Sequence, residues 1–376
     1  MNNLIKYLFV LLILSTITSC KNQSNINNKS KNDAISYACG FSIDESDKNY
    51  IKLTIFNPWN DYKTHSIYYL TKNIQTITPQ DGIKIEIPVK KVMVNSATYL
   101  GFIELLDELK SVTAICNTKY IYNKEILKGV KDGIIEDLGD SFQLDMERLI
   151  LSKPDVIFTS AYNGDATEAD NFKRYKLTPI FNMEWMEPSL LARAEWIKVI
   201  GAFYNKLDLA FEVFNEIENN YKHAKQIALM AKSTPTILSG RDFNGTWSMP
   251  SGNSYNAELF KAAKGSYLYQ NDTKYKGSIP VTIEEALIYF YDADIWINAQ
   301  ATSLEELAKT NDKYKLFKAF KTKSVYSNDK RANSHGGNDY WEMGVAKPDL
   351  VLKDLVKVLH PDLLPDYELT FMNKLD

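Results

Sequence analysis

The sequence predicts an α/β protein of two lobes joined by a long rigid helix, with a small N-terminal β extension. Three observations carry this. From Pro88 to about Met183, and again from Thr234 onward, short apolar strands alternate with segments whose apolar residues recur at helical spacing. That alternation is the pattern of a parallel sheet with helices on its faces. Between the two stretches, the segment from Pro188 to Lys232 is helical in pattern almost throughout, and before them residues 37–87 read as strands and turns.

Taken in order, the chain opens with MNNLIKY, an apolar run LFVLLIL, and ITSC at residues 17–20. The run is too short to span a bilayer, and small residues before a cysteine complete a lipoprotein signal, so residues 1–20 are expected to be a signal peptide and Cys20 the lipidated first mature residue. The predicted location is the cell envelope, with the protein lipid-anchored to a membrane and facing the periplasm. Residues 21–36 are polar and lack aromatics, which makes them a disordered tether.

In residues 37–87, YIKLTIF, HSIYYL and GIKIEI are strands, separated by the turn NPWND and by Asp81-Gly82. An antiparallel unit is expected. The first α/β lobe, residues 88–187, has strands at VKKVMVN, VTAIC, PDVIFTS and LTPIFNM, with helices at YLGFIELLDEL and LDMERLILS. The bridge, residues 188–232, places Leu191, Trp196, Val199, Ile200 and Phe203 on one helical face. Leu207, Phe211, Phe214, Ile217, Tyr221 and Ala224 share the face of a second helix, with a break at Asn205-Lys206. A second helix of about 25 residues would run roughly 38 Å, enough to link two domains. The second lobe, residues 233–376, has strands at TPTILSG, ADIWINA and KSVYSND, and helices at YNAELFKAA, EEALIYFY and KPDLVLKDLVKVLHP.

Composition removes several function classes. The net charge is −3, from 44 basic and 47 acidic residues, and only five of the basic residues are Arg. A nucleic-acid partner is not expected from such a balance. Cys39 and Cys116 could form a disulfide outside the cytoplasm, but no spacing in the sequence pairs them, and they are expected to be buried small residues; with no CxxC, a redox pair is not expected. Neither GxSxG, GxxxxGK[ST] nor GxGxxG occurs, so no hydrolase elbow, phosphate cradle or cofactor is expected. Of the four His residues, only His335 stands near a plausible cleft. A bare-metal site is therefore not expected, and His335 with Asp339 and Glu342 is the sole group on which an enzymatic alternative could rest.

In two-lobed α/β proteins the cleft is walled by loops at the carboxyl ends of the strands. Those loops carry Tyr120, Tyr162 and Trp185 in the first lobe. In the second they carry Arg241, Trp247, Asn338, Tyr340 and Trp341. Aromatic faces can pack on a ring system while their polar tips hydrogen-bond. Arg193 and Arg241 suggest an anionic cargo, unless Arg193 pairs with an acid such as Glu187 or Glu195.

Five stretches in order, LDMERLILSKPDVIF, RAEWIK, WSMPSGNSYNAELF, IPVTIEEALIYFYDADIWI and GGNDYWEMGVAKPDLVLKDL, resemble the substrate-binding proteins of ABC importers for iron-siderophore complexes and vitamin B12. The similarity covers roughly residues 88–376 and is strongest to a subgroup common among Bacteroidetes lipoproteins. It implies two Rossmann-like lobes, monomeric capture of an iron-siderophore or corrinoid without a cofactor, and delivery to an ABC permease dimer in the inner membrane. It also implies that an acid on each lobe docks the permease, and the matching positions are Glu147 and Glu284.

Overall fold

The computed structural model describes residues 35–161, 167–275 and 277–376. The predicted signal peptide, Cys20 and all but the end of the tether lie outside these residues, as does Tyr162.

The N-terminal unit is a four-stranded sheet in the order β1 (Phe41–Asp44), β2 (Ile51–Asn57), β3 (Lys63–Thr71), β4 (Ile83–Glu86). The first two pairings are antiparallel, but β4 lies parallel to β3, against the expectation of an all-antiparallel unit. The connection 72–82 carries the chain back along the sheet before β4 begins. This unit has no core of its own. Leu53, Ile55, Tyr68 and Leu70 are sealed against Val92, Phe158, Trp196 and Phe203 in one continuous cluster, and the Tyr68 hydroxyl donates to the carbonyl of Pro179 at 2.9 Å.

Just ahead of β1 the chain is strapped to the bridge by two carboxylates. Glu195, fully buried, accepts from the backbone N–H groups of Ser36, Tyr37 and Ala38 at 2.8–2.9 Å. Glu187 accepts from those of Cys39 and Gly40 at 2.9 Å. Cys39 and Cys116 are both free; Cys116 is buried as expected, whereas Cys39 is exposed.

The first lobe is a five-stranded parallel sheet in the order β7 (Glu136–Asp137), β6 (Val112–Ile115), β5 (Val92–Val94), β8 (Val156–Ser160), β9 (Pro179–Asn182). Apolar runs without alternation, such as VMV and VIF, suit strands covered on both faces. The helix Met146–Ser152 is capped by the Asp145 side chain and ends at Lys153 in the left-handed region, directly before Pro154.

The bridge contains short helices at Leu190–Ala194 and Ile197–Phe203, then one helix at Leu207–Leu229. The expected break is present, with Asn205 at φ +54°. The long helix buries Leu207, Ala210, Phe214, Ile217, Tyr221 and Ala224, a stripe at helical spacing. Its 23 residues span roughly 35 Å.

In the second lobe the parallel pairing is reduced to β10 (Ile237–Ser239) with β14 (Ile295–Ile297), extended by single bridges to Ser266 and Val325. An antiparallel sheet of β11 (Asp242–Phe243), β12 (Thr246–Pro250) and β13 (Ser278–Val281) covers it. A small pair joins β15 (Tyr326–Ser327) to β16 (Asn373–Lys374). The segment 241–250, where the sequence predicts cleft loops, is thus a hairpin. Its inward residues Trp247 and Met249 are fully buried.

Candidate functional site

The lobes face one another across the carboxyl ends of β5, β6, β8 and β9 on one side and β10 and β14 on the other, where α/β proteins hold their ligands. On the first-lobe side, Trp185 occupies a short 3-10 turn just beyond β9. It has a partner that the sequence did not suggest. Trp59, at the tip of the β2–β3 turn, stands 5.9 Å from it between ring centroids. The Trp59 indole is 37% exposed. The only sequence signal for it was an aromatic residue inside the turn NPWND. Tyr120 is half-exposed on the loop after β6, with the Lys119 ammonium 4.7 Å from its ring centre.

The second-lobe wall encloses a cavity of about 530 Å³. Asn298 and Gln300, just beyond β14, both have left-handed backbones, with φ of +54° and +52°. Such conformations in non-glycine residues are held only where the surroundings impose them. Asn328 donates through Nδ2 to Oδ1 of Asn298, and Asn338 donates to the carbonyl of Asn328 at 2.9 Å. Two acids join this wall. Glu306 accepts from the Thr302 hydroxyl and N–H at 2.6 and 2.7 Å, which, with the nearby Arg241, holds its carboxyl below the usual range. Burial pushes the Asp329 carboxyl up.

The floor is ionic. Arg193, 5% exposed, reaches Glu184 at 3.4 Å and lies 4.6 Å from the ring centre of Tyr255 in the second lobe. Its acid is therefore Glu184, not Glu187 or Glu195 as the sequence suggested. Burial raises the Glu184 carboxyl, an effect that Arg193 opposes.

HGGNDYWEMG is the seam between the lobes. The backbone at Gly337 lies so close to the first lobe that a Cβ there would sit 2.0 Å from the Ile121 carbonyl oxygen. Gly336 has φ +104°, a conformation that side chains disfavour. Asn333 donates to the Ile121 carbonyl at 2.8 Å, and Glu342 accepts from the N–H groups of Tyr122 and, at 3.0 Å, Asn123. Asp339 pairs with Arg331 at 2.8 Å. Burial, opposed by those two N–H groups, pushes the Glu342 carboxyl up to about 7.

The predicted site residues divide accordingly. Asn338 and the half-exposed Trp341 line the second-lobe cavity. Arg241 is partly buried, and its charge helps hold the Glu306 carboxyl low. Two expectations are corrected. Trp247 does not reach the cleft: its indole is fully buried among Trp296, Tyr314 and Phe317, and its N–H donates to the Ser239 carbonyl at 2.8 Å. Inward alternation along β12 sets that direction. Tyr340 is 7% exposed and packed edge-on against Trp341 and Phe371. The trio His335, Asp339 and Glu342 forms no catalytic relay, since Asp339 is engaged by Arg331 and Glu342 by backbone N–H groups, while His335 is exposed. Among the described residues no group of three His, Cys, Asp or Glu side chains could hold a metal ion. No described helix is long and apolar enough to cross a membrane.

Glu147 and Glu284 occupy equivalent places. Each is the second residue of a helix, capped by Asp145 in one case and by the reciprocal Thr282–Glu285 pair in the other. Glu147 is exposed; Glu284 forms an exposed ion pair with Lys313, whose hydrogen bond holds its carboxyl low.

Residues 92–332 match the periplasmic binding protein family. An uncharacterized lipoprotein of Methanocaldococcus jannaschii is 28% identical over 94% of this chain and 91% of its own length. The fold is shared with a possible iron-binding periplasmic solute-binding protein of Staphylococcus epidermidis, at TM-score 0.56 and 15% identity over 73% of this chain and 99% of that one. It is shared too with a periplasmic heme-binding protein of Pseudomonas aeruginosa, at TM-score 0.54 and 12% identity over 73% and 94%. The molybdate-binding protein of a Haemophilus influenzae ABC transporter aligns at TM-score 0.57 and 15% identity over 75% and 89%.

Proposed function

The chain belongs to the periplasmic binding protein family, whose members bind solutes rather than catalyse, and on that premise we propose that it captures an organic metal chelate between its lobes for an ABC permease. What supports it is a pair of unlike surfaces, the paired indoles of Trp59 and Trp185 beyond the first-lobe sheet and, in the second lobe, a cavity of about 530 Å³ edged by side-chain amides. A ring system that also carries hydrogen-bonding groups fits both. An iron-siderophore complex is the first reading; a corrinoid or other tetrapyrrole is the second. Tyr120, Tyr162, Trp185, Asn338 and Trp341 are the proposed contacts, with Trp59 added and Trp247 and Tyr340 withdrawn. Arg241 is proposed to tune the wall through Glu306 rather than to hold cargo.

Glu147 and Glu284 are proposed to meet basic pockets on a permease dimer, since exposed acids on two rigidly joined lobes can address two equivalent sites at once. Cys20 is proposed as the lipid anchor of a monomer held at the membrane facing the periplasm. The bridge helix packs along the last helix, Pro348–Leu359, and the seam ties the lobes directly; closure on cargo is accordingly small, in contrast to hinge-type binding proteins. Mass spectrometry of solute retained by the native protein, followed by tryptophan-fluorescence titration with ferric siderophores and cyanocobalamin, tests the reading. Saturable quenching by one chelate class supports it. A protein that arrives without solute and responds to neither class refutes it.

A further inference from the structure

The second-lobe wall goes beyond shape and speaks to the charge of the cargo. Its hydrogen-bonding groups are amides and hydroxyls, and the charged side chains lining the cavity are the two carboxylates of Glu306 and Asp329. The arginine nearest this wall, Arg241, is not among the residues that line the cavity, and its charge helps keep Glu306 ionised. Arg193, the other guanidinium at the cleft, lies outside that lining and pairs with Glu184 at 3.4 Å beside the Tyr255 ring. A second observation points the same way. The two buried side-chain atoms of this wall without a hydrogen-bond partner among the described residues, Asn328 Oδ1 and Asp329 Oδ1, are both acceptors. Amides can donate as well as accept, whereas carboxylates only accept. The surplus of this wall is therefore acceptor oxygen and negative charge.

We propose that the cavity of the second lobe selects an uncharged or cationic, donor-bearing chelate and rejects polyanionic ones. The inference rests on the solute-binding reading above and narrows it. Among iron complexes it favours hydroxamate-type chelates of zero or positive charge over tris-catecholates, and it keeps neutral amide-bearing corrinoids as a second candidate class. It also reverses the sequence-based suggestion of an anionic cargo. Neither of the arginines that prompted that idea lines the cavity. Discrimination by a repulsive wall is physically economical, because a like charge brought against a desolvated carboxylate costs several kcal/mol while a neutral ligand loses nothing.

The test titrates the purified full chain with four probes at fixed ionic strength: a neutral ferric trihydroxamate, a cationic ferric trihydroxamate, a triply anionic ferric tris-catecholate and cyanocobalamin. The expected result is that at least one neutral or cationic probe binds, and at least about a hundredfold tighter than the tris-catecholate. Gln300→Lys, an exposed position on the rim of the cavity, should narrow that ratio about tenfold by supplying one compensating charge. Asp329→Asn should move it in the same direction. A tris-catecholate that binds as tightly as the neutral probes, or a ratio that Gln300→Lys leaves unmoved, overturns the charge rule while leaving solute binding intact. Failure of all four probes against a folded protein overturns the chelate-capture reading, and the charge rule with it.

Discussion

The same residue type does opposite work in the two lobes. In the first, Trp185 packs against Trp59 of the N-terminal β unit and belongs to no core cluster, while Trp196 of the bridge joins the core that the lobe shares with that unit. In the second, Trp247 and Trp296 are themselves the core, lying 5.6 Å apart between ring centroids beneath an antiparallel cover. The lobe with the complete parallel sheet keeps Trp185, just past its last strand, out of its core. The lobe with only two paired parallel strands fills its interior with two indoles and offers the cleft amides and acids beside the single indole of Trp341. A tryptophan near a strand end is therefore informative about ligand only once the lobe's own means of filling its core is known.

The sharpest way to break this contrast is to truncate one tryptophan in each lobe. Trp247→Ala removes a fully buried indole and should cost about 3–5 kcal/mol in urea unfolding. A loss below about 1 kcal/mol would mean that the second lobe does not depend on its aromatic core. The lobes also differ at their proposed docking acids, because Glu284 shares its carboxylate with Lys313 while Glu147 is exposed beside Arg148, which turns to Glu136 and Asp145. Reversing both, Glu147→Lys with Glu284→Lys, should lower uptake into cells at least about thirtyfold with ligand affinity unchanged. Intact uptake would reject the docking role. Trp185→Ala should leave unfolding within about 1 kcal/mol of the native chain but weaken chelate binding roughly tenfold, read by titration. An unchanged affinity would remove the aromatic wall from the site.

The legible part of this molecule was its periodicity. Strand and helix alternation, the long helix and the break at Asn205 follow from apolar spacing, which depends on burial and so survives in sequence. Directions and partners were less readable. Nothing local told that the 241–250 segment folds as a hairpin with Trp247 turned inward, or that β4 runs parallel to β3. RAEWIK could be noticed as a pattern, yet its meaning needs residues far away: Glu184 for Arg193, and the N–H groups of residues 36–38 for Glu195. The glycines of HGGNDYWEMG suggested a tight turn. That one of them abuts a carbonyl of the opposite lobe could only come from three dimensions.

The seam provides a test in pH, and its sign can be worked out. Burial, aided by Asp339 and Glu104, pushes the Glu342 carboxyl up to about 7, whereas in the unfolded chain a glutamate titrates near about 4.3. Between those values the folded state holds a proton that the unfolded state has released. The stabilising contribution is therefore complete below the unfolded value and is lost as pH rises through the folded one. Glu342→Gln mimics the protonated acid at every pH. It should match the native chain near about pH 4, below the unfolded value, and outlast it near pH 8 by about 3 kcal/mol. Other buried carboxyls, such as Glu184, Asp349 and Asp354, are also raised and are common to both proteins, so the difference between the two curves isolates Glu342. If the native chain gains on the variant as pH rises across this window, the N–H groups of Tyr122 and Asn123 outweigh burial, and the seam is held by the charged form of Glu342 instead.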